Sequence, residues 1–414
     1  MNAISLQLIN QASARLQSVI KSTPLEFNER LSKQYNANIY FKREDLQIVR
    51  SFKIRGAYNL ISSLDTEQRY KGVVCASAGN HAQGVALSCA LLKVKGVIFM
   101  PSVTPKQKIA KVRKFGGEYI EIKSEGNTFD EASKLAQEYC QKEGMIFVHA
   151  FNDAITIAGQ GTIGKEILEQ KPDTDYVICA IGGGGLIGGI GSYVTQVNPN
   201  IKVIGCEPTG AASMNAAFEA KKVVKLEKMD SFCEAVAIQS VGSLSFQVAK
   251  KVVNKICVIP EGHVCTDMID LYQIEGIIVE PAGALPVSCL EYIKSEIQGK
   301  TVVCVICGGN NDISRYPEVI ERSLIWQGRK HYFLLELNQK PGEIKKLVSE
   351  VLGLNDDIVL FEYVKKNNKE KGVNLVGIEL ANKDDLQQLL IKLDASGIKY
   401  KEITSDDSIY SLLI

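Results

Sequence analysis

Four consecutive glycines, Gly182–Gly185, are the segment of this sequence whose chemistry is easiest to infer. They follow an apolar run, Tyr176–Ile181, that predicts a buried strand, and they precede a helical stretch that begins at Leu186. Glycines at such a strand-to-helix turn let backbone N–H groups surround an anion, and the helix dipole adds attraction. We therefore predict that this loop binds a phosphate group.

The same loop also satisfies a dinucleotide-binding pattern. Gly183, Gly185 and Gly188 fit GxGxxG, and Glu207 ends the next predicted strand, where such folds place a ribose-binding acid. Two points weaken this interpretation. Four consecutive glycines are more than the pattern requires, and the loop lies near residue 180 instead of opening its domain. A P-loop is excluded because GxxxxGK[ST] does not occur. A nicotinamide-dependent dehydrogenase is therefore an alternative when this loop is considered alone.

A second loop of similar character lies upstream. Residues Ser77–His81 connect an apolar strand, Val73–Ala76, to a helical stretch over His81–Lys93. The backbone N–H groups at the start of that helix are suited to binding an anion. The sequence thus contains two loops that can each bind a negatively charged group.

Several motifs occur in order along the first 320 residues or so. They are Tyr40–Gln47, Arg50–Ala57, Ser77–Gly84, Gly159–Thr162, the tetraglycine loop, Glu280–Ala284 and Cys307–Asn310. Together they closely resemble the motifs of fold-type II pyridoxal-phosphate enzymes. Within that family the chain is similar to the threonine dehydratases, also called threonine deaminases.

The resemblance implies a role for each residue around the cofactor. Lys53 would form the covalent bond to pyridoxal 5'-phosphate and act as the catalytic base, and Phe52 would stack on the cofactor ring. Asn80 would contact the ring hydroxyl oxygen, although capping of a helix is the alternative for an Asn at this place. Cys307 would face the pyridine nitrogen, where threonine dehydratases commonly have serine. An inert buried thiol is the alternative for Cys307.

The two anion-binding loops also receive roles from the resemblance. The glycine loop would hold the cofactor phosphate through Gly182, Gly183, Gly184, Gly185 and Leu186. The upstream loop would bind the substrate carboxylate through Ser77, Ala78, Gly79, Asn80 and His81, with His81 acting through its backbone alone. The implied reaction is β-elimination of L-threonine to 2-oxobutanoate and ammonia, and L-serine is a further expected substrate.

Two departures separate the chain from the serine racemases of the same family. Those enzymes carry a second serine where this chain has Ala78. Their divalent-metal site uses a glutamate, a backbone carbonyl and an aspartate. Here Glu207 and Ala211 match the first two positions, but Ser213 stands at the third. We therefore predict no racemisation and no divalent-metal site.

The elements that must position these residues alternate between strand and helix. Nine apolar runs predict strands, at Ile39–Phe41, Val73–Ala76, Val97–Met100, Tyr119–Ile122, Ile146–His149, Tyr176–Ile181, Val203–Cys206, Ile256–Ile259 and Thr301–Cys307. Such alternation predicts an α/β protein whose parallel sheets are covered by helices. The resemblance implies a tryptophan synthase β-like catalytic domain over residues 1–325, with a smaller parallel-sheet subdomain at roughly residues 50–155.

After residue 330 the pattern changes. The order strand, helix, strand, strand, helix, strand predicts a ferredoxin-like α+β domain over residues 330–414. Pro341–Glu343, Val376–Glu379 and Asp406–Ile414 resemble the ACT-like regulatory domain of biosynthetic threonine dehydratases. The resemblance implies inhibition by isoleucine, opposed by valine, in a homo-oligomer that is a tetramer or a dimer. A catabolic serine/threonine dehydratase and a non-catalytic amino-acid sensor are the alternatives.

Composition limits the possible partners and location. The chain has 414 residues and a formal net charge of +1, without the basic excess of nucleic-acid-binding or membrane-surface proteins. No apolar run approaches the roughly 18 residues that a membrane span requires. Eleven cysteines without a compact framework indicate reduced thiols. We therefore expect a cytoplasmic protein of two or three domains, at about 150 residues per domain.

Overall fold

The computed structural model describes residues 4–363, 369–404 and 407–410, together with Leu413. The chain forms two compact units. The first contains residues 1–261 and 271–311, and the second contains residues 262–270 and 312–414. The division after Asn311 lies upstream of the boundary that we predicted between residues 325 and 330. Within the described ranges, no helix has both the length and the apolar character needed to cross a membrane.

Ten strands lie in the described part of the first unit. They are β1 Leu25–Phe27, β2 Asn38–Arg43, β3 Val73–Ala76, β4 Gly96–Met100, β5 Ile120–Ser124, β6 Ile146–Phe147, β7 Tyr176–Ala180, β8 Lys202–Pro208, β9 Lys255–Ile259 and β10 Thr301–Ile306. All nine predicted strands are present. Strand β6 is shorter than predicted, because the chain leaves the sheet after Phe147.

Helices connect these strands. They are α1 Leu6–Leu16, α2 Glu29–Tyr35, α3 Lys53–Ser63, α4 Thr66–Lys71, α5 Asn80–Leu92, α6 Lys106–Gly116, α7 Phe129–Glu143, α8 Ala154–Gln170, α9 Gly185–Val197, α10 Ser213–Ala220, α11 Ser243–Val252, α12 Glu261–Gln273, α13 Pro281–Tyr292 and α14 Tyr316–Trp326. Helix α12 extends across the division between the units, and α14 belongs to the second unit.

The first unit is built on two sheets. The larger sheet has the order β1-β2-β10-β7-β8-β9, in which only β1 runs antiparallel to its neighbour. The smaller sheet has the order β5-β4-β3-β6 and is entirely parallel. Strands β3, β4 and β10 are buried along their whole length, as expected for parallel sheets with helices on both faces. This architecture confirms the predicted fold class.

The carboxyl ends of the parallel strands determine where the candidate residues can meet. Loops leave β3 at Ser77, β6 at Val148, β7 at Ile181 and β10 at Cys307. In open α/β sheets, ligands bind at this end of the strands. All four loops lie in the first unit, so one unit carries every predicted site residue.

Helix α8 starts earlier than the sequence pattern indicates. The sequence pattern predicts a helix that starts at Thr162 and ends at Gln170. In the structure α8 begins at Ala154, where the Asp153 carboxylate accepts a hydrogen bond from the Thr156 N–H at 2.8 Å. The segment omitted by the prediction contains Gly159 and Gly161, which have low intrinsic helix propensity. A Cβ atom on Gly159 would lie 2.6 Å from the Arg55 carbonyl oxygen. Close packing against α3 therefore explains a glycine that the helix alone disfavours.

The second unit contains the predicted strand and helix order. Its sheet comprises β11 Lys330–Asn338, β12 Asp357–Glu362, β13 Lys371–Glu379 and β14 Lys399–Ile403, in the antiparallel order β12-β13-β11-β14. Its further helices are α15 Glu343–Lys346, followed by a π-helical turn at Leu347–Val351, and α16 Asp385–Ser396. The sequence also predicts a polar loop at residues 365–372, of which residues 365–368 lie outside the described residues. Of the motif at 406–414, residues 406, 411, 412 and 414 lie outside them as well.

Candidate active site

Lys53 is the first residue of α3, and the segment before it is fixed to the end of β10. Ser51 pairs with Gly308 in an isolated bridge, and the Phe52 N–H donates to the Cys307 carbonyl oxygen at 3.1 Å. The Lys53 Nζ lies 5.0 Å from the centre of the Phe52 ring. The fold thereby brings together three residues that the resemblance places around one cofactor.

The surroundings of Lys53 favour an uncharged amine. Burial lowers the pKa of Lys53 to about 8, while the carboxyl group of Glu280 acts in the opposite direction. Burial also raises the pKa of the Cys307 thiol well above its usual value, so the thiol stays neutral and donates to the Ala282 carbonyl oxygen at 3.3 Å. Lys53 is thus poised to act as a nucleophile and base close to neutral pH.

The glycine loop forms an open cradle at the start of α9. Gly184 occupies the N-cap position with φ +90°, a conformation that favours glycine, and no side chain caps the helix. A Cβ atom on Gly183 would lie 2.2 Å from the Phe151 ring, so a larger residue does not fit there. The first N–H groups of α9, including that of the buried Leu186, are available to an anion. The loop therefore fits a phosphate group.

The Ser77–His81 loop leads into α5 in a comparable way. Gly79 is the N-cap residue of α5, and no side chain caps the helix. The Gly79 N–H donates to the Ser77 Oγ at 3.2 Å, and nothing lies within 4 Å of a Cβ atom built on Gly79. The start of α5, next to Ala78, is thus suited to the substrate carboxylate that the resemblance assigns to it.

His81 and His149 are neutral rings in this site. Burial lowers the pKa of His81 to about 3 and that of His149 to about 4. His81 Nε2 lies 2.8 Å from the Val148 carbonyl oxygen, which makes that nitrogen the donor. His149 Nδ1 accepts from the N–H groups of Phe151 and Asn152, at 3.3 and 3.0 Å. Neither ring adds a positive charge near Lys53.

Asn80 does not cap a helix with its side chain. Its Nδ2 donates to both oxygens of Glu280, at 2.8 and 3.0 Å, and its Oδ1 accepts from Asn310 Nδ2 at 2.8 Å. Glu280 and Asn310 belong to sequence motifs that predict no role for them, and His149 was predicted only as the end of a strand. The signal for Glu280 was an acidic residue within an otherwise apolar motif, immediately before Pro281.

Glu207 has a structural role. It differs from ribose binding and from metal binding, the two roles that its place in the sequence suggests. Its carboxylate accepts from the N–H groups of Met214 and Asn215 at the start of α10, at 2.8 and 2.7 Å, and burial raises its pKa to about 8. A carboxyl group used in this way is not free to bind a ribose. Among the described residues, no three His, Cys, Asp or Glu side chains are placed to hold a metal ion. The absence of a divalent site stays a prediction.

Two family models match the chain. The model described as pyridoxal-phosphate dependent enzyme matches residues 16–308. The model described as C-terminal regulatory domain of threonine dehydratase matches residues 321–413. These ranges correspond closely to the part of the chain that carries the candidate site and to the part that carries the antiparallel sheet.

Full-length relatives and solved structures agree with these models. The L-threonine dehydratase biosynthetic IlvA of Halalkalibacterium halodurans is 48% identical over 415 residues, covering 100% of both chains. The protein of the same name from Bacillus subtilis is 47% identical and covers 99% of this chain and 98% of its own. The processed threonine deaminase isoform 2 of Solanum lycopersicum superposes with a TM-score of 0.73, at 38% identity, over 77% of this chain and 92% of that one.

Maize serine racemase is also similar in structure, with a TM-score of 0.71 and 29% identity, over 78% of this chain and 99% of that one. The chain therefore belongs to the family of pyridoxal-phosphate-dependent enzymes, with the fold of its type II members. Within that family, its full-length similarity places it among the biosynthetic threonine dehydratases. The buried amine of Lys53 and the open glycine loop fit the aldehyde and the phosphate of this cofactor.

Proposed function

We propose that this protein converts L-threonine to 2-oxobutanoate and ammonia, and that it also accepts L-serine. The observation that carries the proposal is the position of Lys53, a lysine of lowered pKa within the site formed by Asn80 and Cys307. Full-length identity of 48% to an L-threonine dehydratase supports threonine as the substrate. In the balanced reaction, threonine loses water across its Cα–Cβ bond, and the product takes up water as ammonia is released.

The residues of this chain divide the work of binding and proton transfer. Bound pyridoxal phosphate supplies the electron sink that makes the substrate α-proton acidic enough to remove. Lys53 Nζ would hold the cofactor covalently, and the same nitrogen would accept the α-proton of the substrate. Of Lys53, His81 and His149, Lys53 has the pKa closest to neutral pH. It is therefore the best suited of the three to transfer a proton.

The two loops orient the reactants. The N–H groups of Gly182–Gly185 and Leu186 bind the cofactor phosphate, and those of Ser77–His81 bind the substrate carboxylate. Cys307 would offer a neutral thiol to the pyridine nitrogen, and a neutral thiol would not keep that nitrogen protonated, whereas a carboxylate would. Such a ring is a weaker electron sink, which suits prompt elimination.

Initial-rate assays of 2-oxo acid formation test this function. We expect 2-oxobutanoate and ammonia in equal amounts from L-threonine, pyruvate and ammonia from L-serine at a lower catalytic efficiency, and no D-serine from L-serine. A purified protein that carries pyridoxal phosphate but forms no 2-oxo acid from either amino acid would contradict the proposal.

The lowered pKa of Lys53 predicts a pH dependence for cofactor capture. The uncharged amine is the reactive form, so the capture rate of the cofactor-free protein should rise about tenfold per pH unit below pH 8 and level off above it. An exposed lysine, with a pKa of about 10.4, would not level off before pH 10. Stopped-flow absorbance after mixing with pyridoxal phosphate measures this profile. A rate that still rises between pH 9 and 10 would show that the amine is not perturbed.

We also propose that isoleucine inhibits the enzyme through the second unit, as the first committed step of isoleucine biosynthesis would require. Similarity to the C-terminal regulatory domain of threonine dehydratase supports this proposal. A catabolic enzyme is the less favoured alternative, because the full-length relatives are biosynthetic by name. A homo-oligomer, tetrameric or dimeric, and valine as an opposing effector complete the proposal. A cytoplasmic location is supported by eleven free, buried cysteines.

Isoleucine titration gives a direct prediction. We expect isoleucine to raise the threonine concentration needed for half-maximal rate by about 5- to 150-fold, the usual range of an allosteric coupling. Deletion of residues 330–414 should remove this shift, provided that the shortened protein keeps its cofactor absorbance. An unchanged threonine response at saturating isoleucine would leave the second unit without a role in isoleucine control.

A further inference from the structure

Glu280 contributes a buried carboxylate to the site, although its position in the chain predicts a different role. It immediately precedes Pro281, the first residue of α13, yet its side chain does not cap that helix. Both of its oxygens instead face Asn80 Nδ2, on a residue 200 positions away. A Cβ atom on Gly308 would lie 2.3 Å from Glu280 Oε1, so the glycine at that position leaves room for the contact.

Asn310 fixes the other side of the same amide. Its Nδ2 donates to the Val49 carbonyl oxygen and to Asn80 Oδ1, both at 2.8 Å. A carbonyl oxygen can only accept, so the nitrogen of Asn310 must point this way, and Asn80 must turn its oxygen toward it. The Glu280 carboxylate accepts from the nitrogen on the opposite side. If the Asn80 amide were flipped, its nitrogen would face the nitrogen of Asn310, and two donors would meet. Its oxygen would then face the Glu280 carboxylate, and two acceptors would meet.

This arrangement leaves one N–H of Asn80 unused. The two oxygens of a carboxylate are about 2.2 Å apart and subtend about 45° at the amide nitrogen, whereas its two N–H bonds diverge by about 120°. One N–H therefore serves both Glu280 oxygens. The second N–H has no acceptor within the described part of the chain, although Asn80 is only 8% exposed.

We propose that Glu280 and Asn310 are positioning residues that hold the Asn80 amide in one orientation, so that its free N–H meets the ring oxygen of bound pyridoxal phosphate. This inference rests on the proposed function only for the identity of the cofactor. Asn80 makes the contact, and the other two residues act through it. The arrangement explains why an acidic residue is buried here: a carboxylate accepts from the amide but has no hydrogen with which to compete for the ring oxygen.

Glu280 has a second measurable effect through its charge. Burial raises the pKa of Glu280, whereas the hydrogen bond from Asn80 and the charge of Lys53 act in the opposite direction. The other ionisable side chains around these two residues are His81, His149 and Cys307, together with the pair of Lys108 and Glu234. Both histidines and the thiol are neutral at neutral pH, as described above. Removing the charge of Glu280 should therefore lower the pH at which the absorbance of the Lys53-bound cofactor titrates, by about one unit.

Cofactor titrations of five variants, at Glu280, Asn310 and Asn80, test the positioning role without any substrate. We expect E280A and N310A each to raise the dissociation constant of pyridoxal phosphate by about tenfold or more, because Asn80 loses the partner that orients it. E280Q keeps an acceptor for the amide, so it should bind within about threefold of wild type while its absorbance titrates at lower pH. In an N80A background, the effect of E280A on the dissociation constant should disappear.

A buried carboxylate outside the site provides the matched control. E207Q changes a buried carboxyl group that accepts from two N–H groups at the start of α10, so it should lower the unfolding temperature without changing cofactor affinity or absorbance. The proposal is overturned if E280A and N310A bind the cofactor as tightly as wild type, or if E280A weakens binding equally with and without Asn80. A protein that binds the cofactor but does not act on threonine would refute the proposed function and leave these outcomes unchanged.

Discussion

Lys53→Ala is expected to reduce the formation of 2-oxobutanoate from L-threonine by at least about a thousandfold, because the same nitrogen holds the cofactor and removes the α-proton. The variant should also lose the absorbance of the covalently bound cofactor. Lys53→Arg should be equally inactive, although it keeps a positive charge, because a guanidinium stays protonated near neutral pH. Rates from a 2-oxo acid assay and absorbance spectra of the purified variants measure both effects.

The position of Lys53 makes this result specific. Its side chain is half-buried, and α3 begins at that residue, so loss of the amine leaves the helix and its packing in place. A matched control is Lys108→Ala, because Lys108 is a partly exposed lysine of the same unit that pairs with Glu234. We expect that variant to keep its cofactor absorbance and most of its activity. Substantial turnover by Lys53→Ala would remove Lys53 from the mechanism.

Arg55→Met is expected to cause the largest loss of stability in the first unit, about 3–5 kcal/mol. Arg55 and Glu44 have fully buried side chains, joined by two hydrogen bonds of 2.7 and 2.8 Å. Arg55 also binds Glu166 through two further hydrogen bonds, of 2.6 and 2.9 Å. These contacts outweigh burial and hold the pKa of the Glu44 carboxyl below its usual value. Methionine would fill similar space but leave Glu44 without its cationic partner.

Urea unfolding of the purified protein, followed by far-ultraviolet circular dichroism, measures this loss. Lys71→Met is the control, because Lys71 forms an exposed ion pair with Glu67 on a helix surface. We expect the control to unfold at the same urea concentration as wild type within error, since exposed pairs contribute little. If Arg55→Met and Lys71→Met unfold together, the buried ion pairs do not stabilise this fold. Since Arg55 lies two residues after Lys53, a shifted cofactor absorbance should accompany the loss.

Several strands could be predicted from the sequence because they are apolar runs that need burial on both faces. Val73–Ala76 and Thr301–Ile306 are of this kind, and the structure buries both completely. The start of α8 could not be predicted in the same way. Gly159 disfavours a helix locally, and its close approach to the Arg55 carbonyl oxygen is visible only in three dimensions.

The candidate site likewise contains residues that the sequence predicts and contacts that it does not. Residues within one short motif, such as Lys53 and the glycine loop, can be recognised because their neighbours in sequence identify them. Glu280 and Asn310 act on Asn80 from 200 and 230 positions away, so no local pattern indicates their contacts. The same holds for Arg55 and Glu166, which are 111 positions apart. Their residue types are visible in the sequence, whereas their partners depend on how the two sheets are arranged.

The most direct test of the account is to locate the cofactor on the chain. Reduction of the purified enzyme with borohydride makes the bond between pyridoxal phosphate and its lysine permanent, and mass spectrometry of proteolytic peptides then identifies that lysine. We predict one modified residue per chain, Lys53, and no modification when L-threonine is added just before the reductant in saturating amounts. Modification of any other lysine, with Lys53 unmodified, would contradict the assignment of this site.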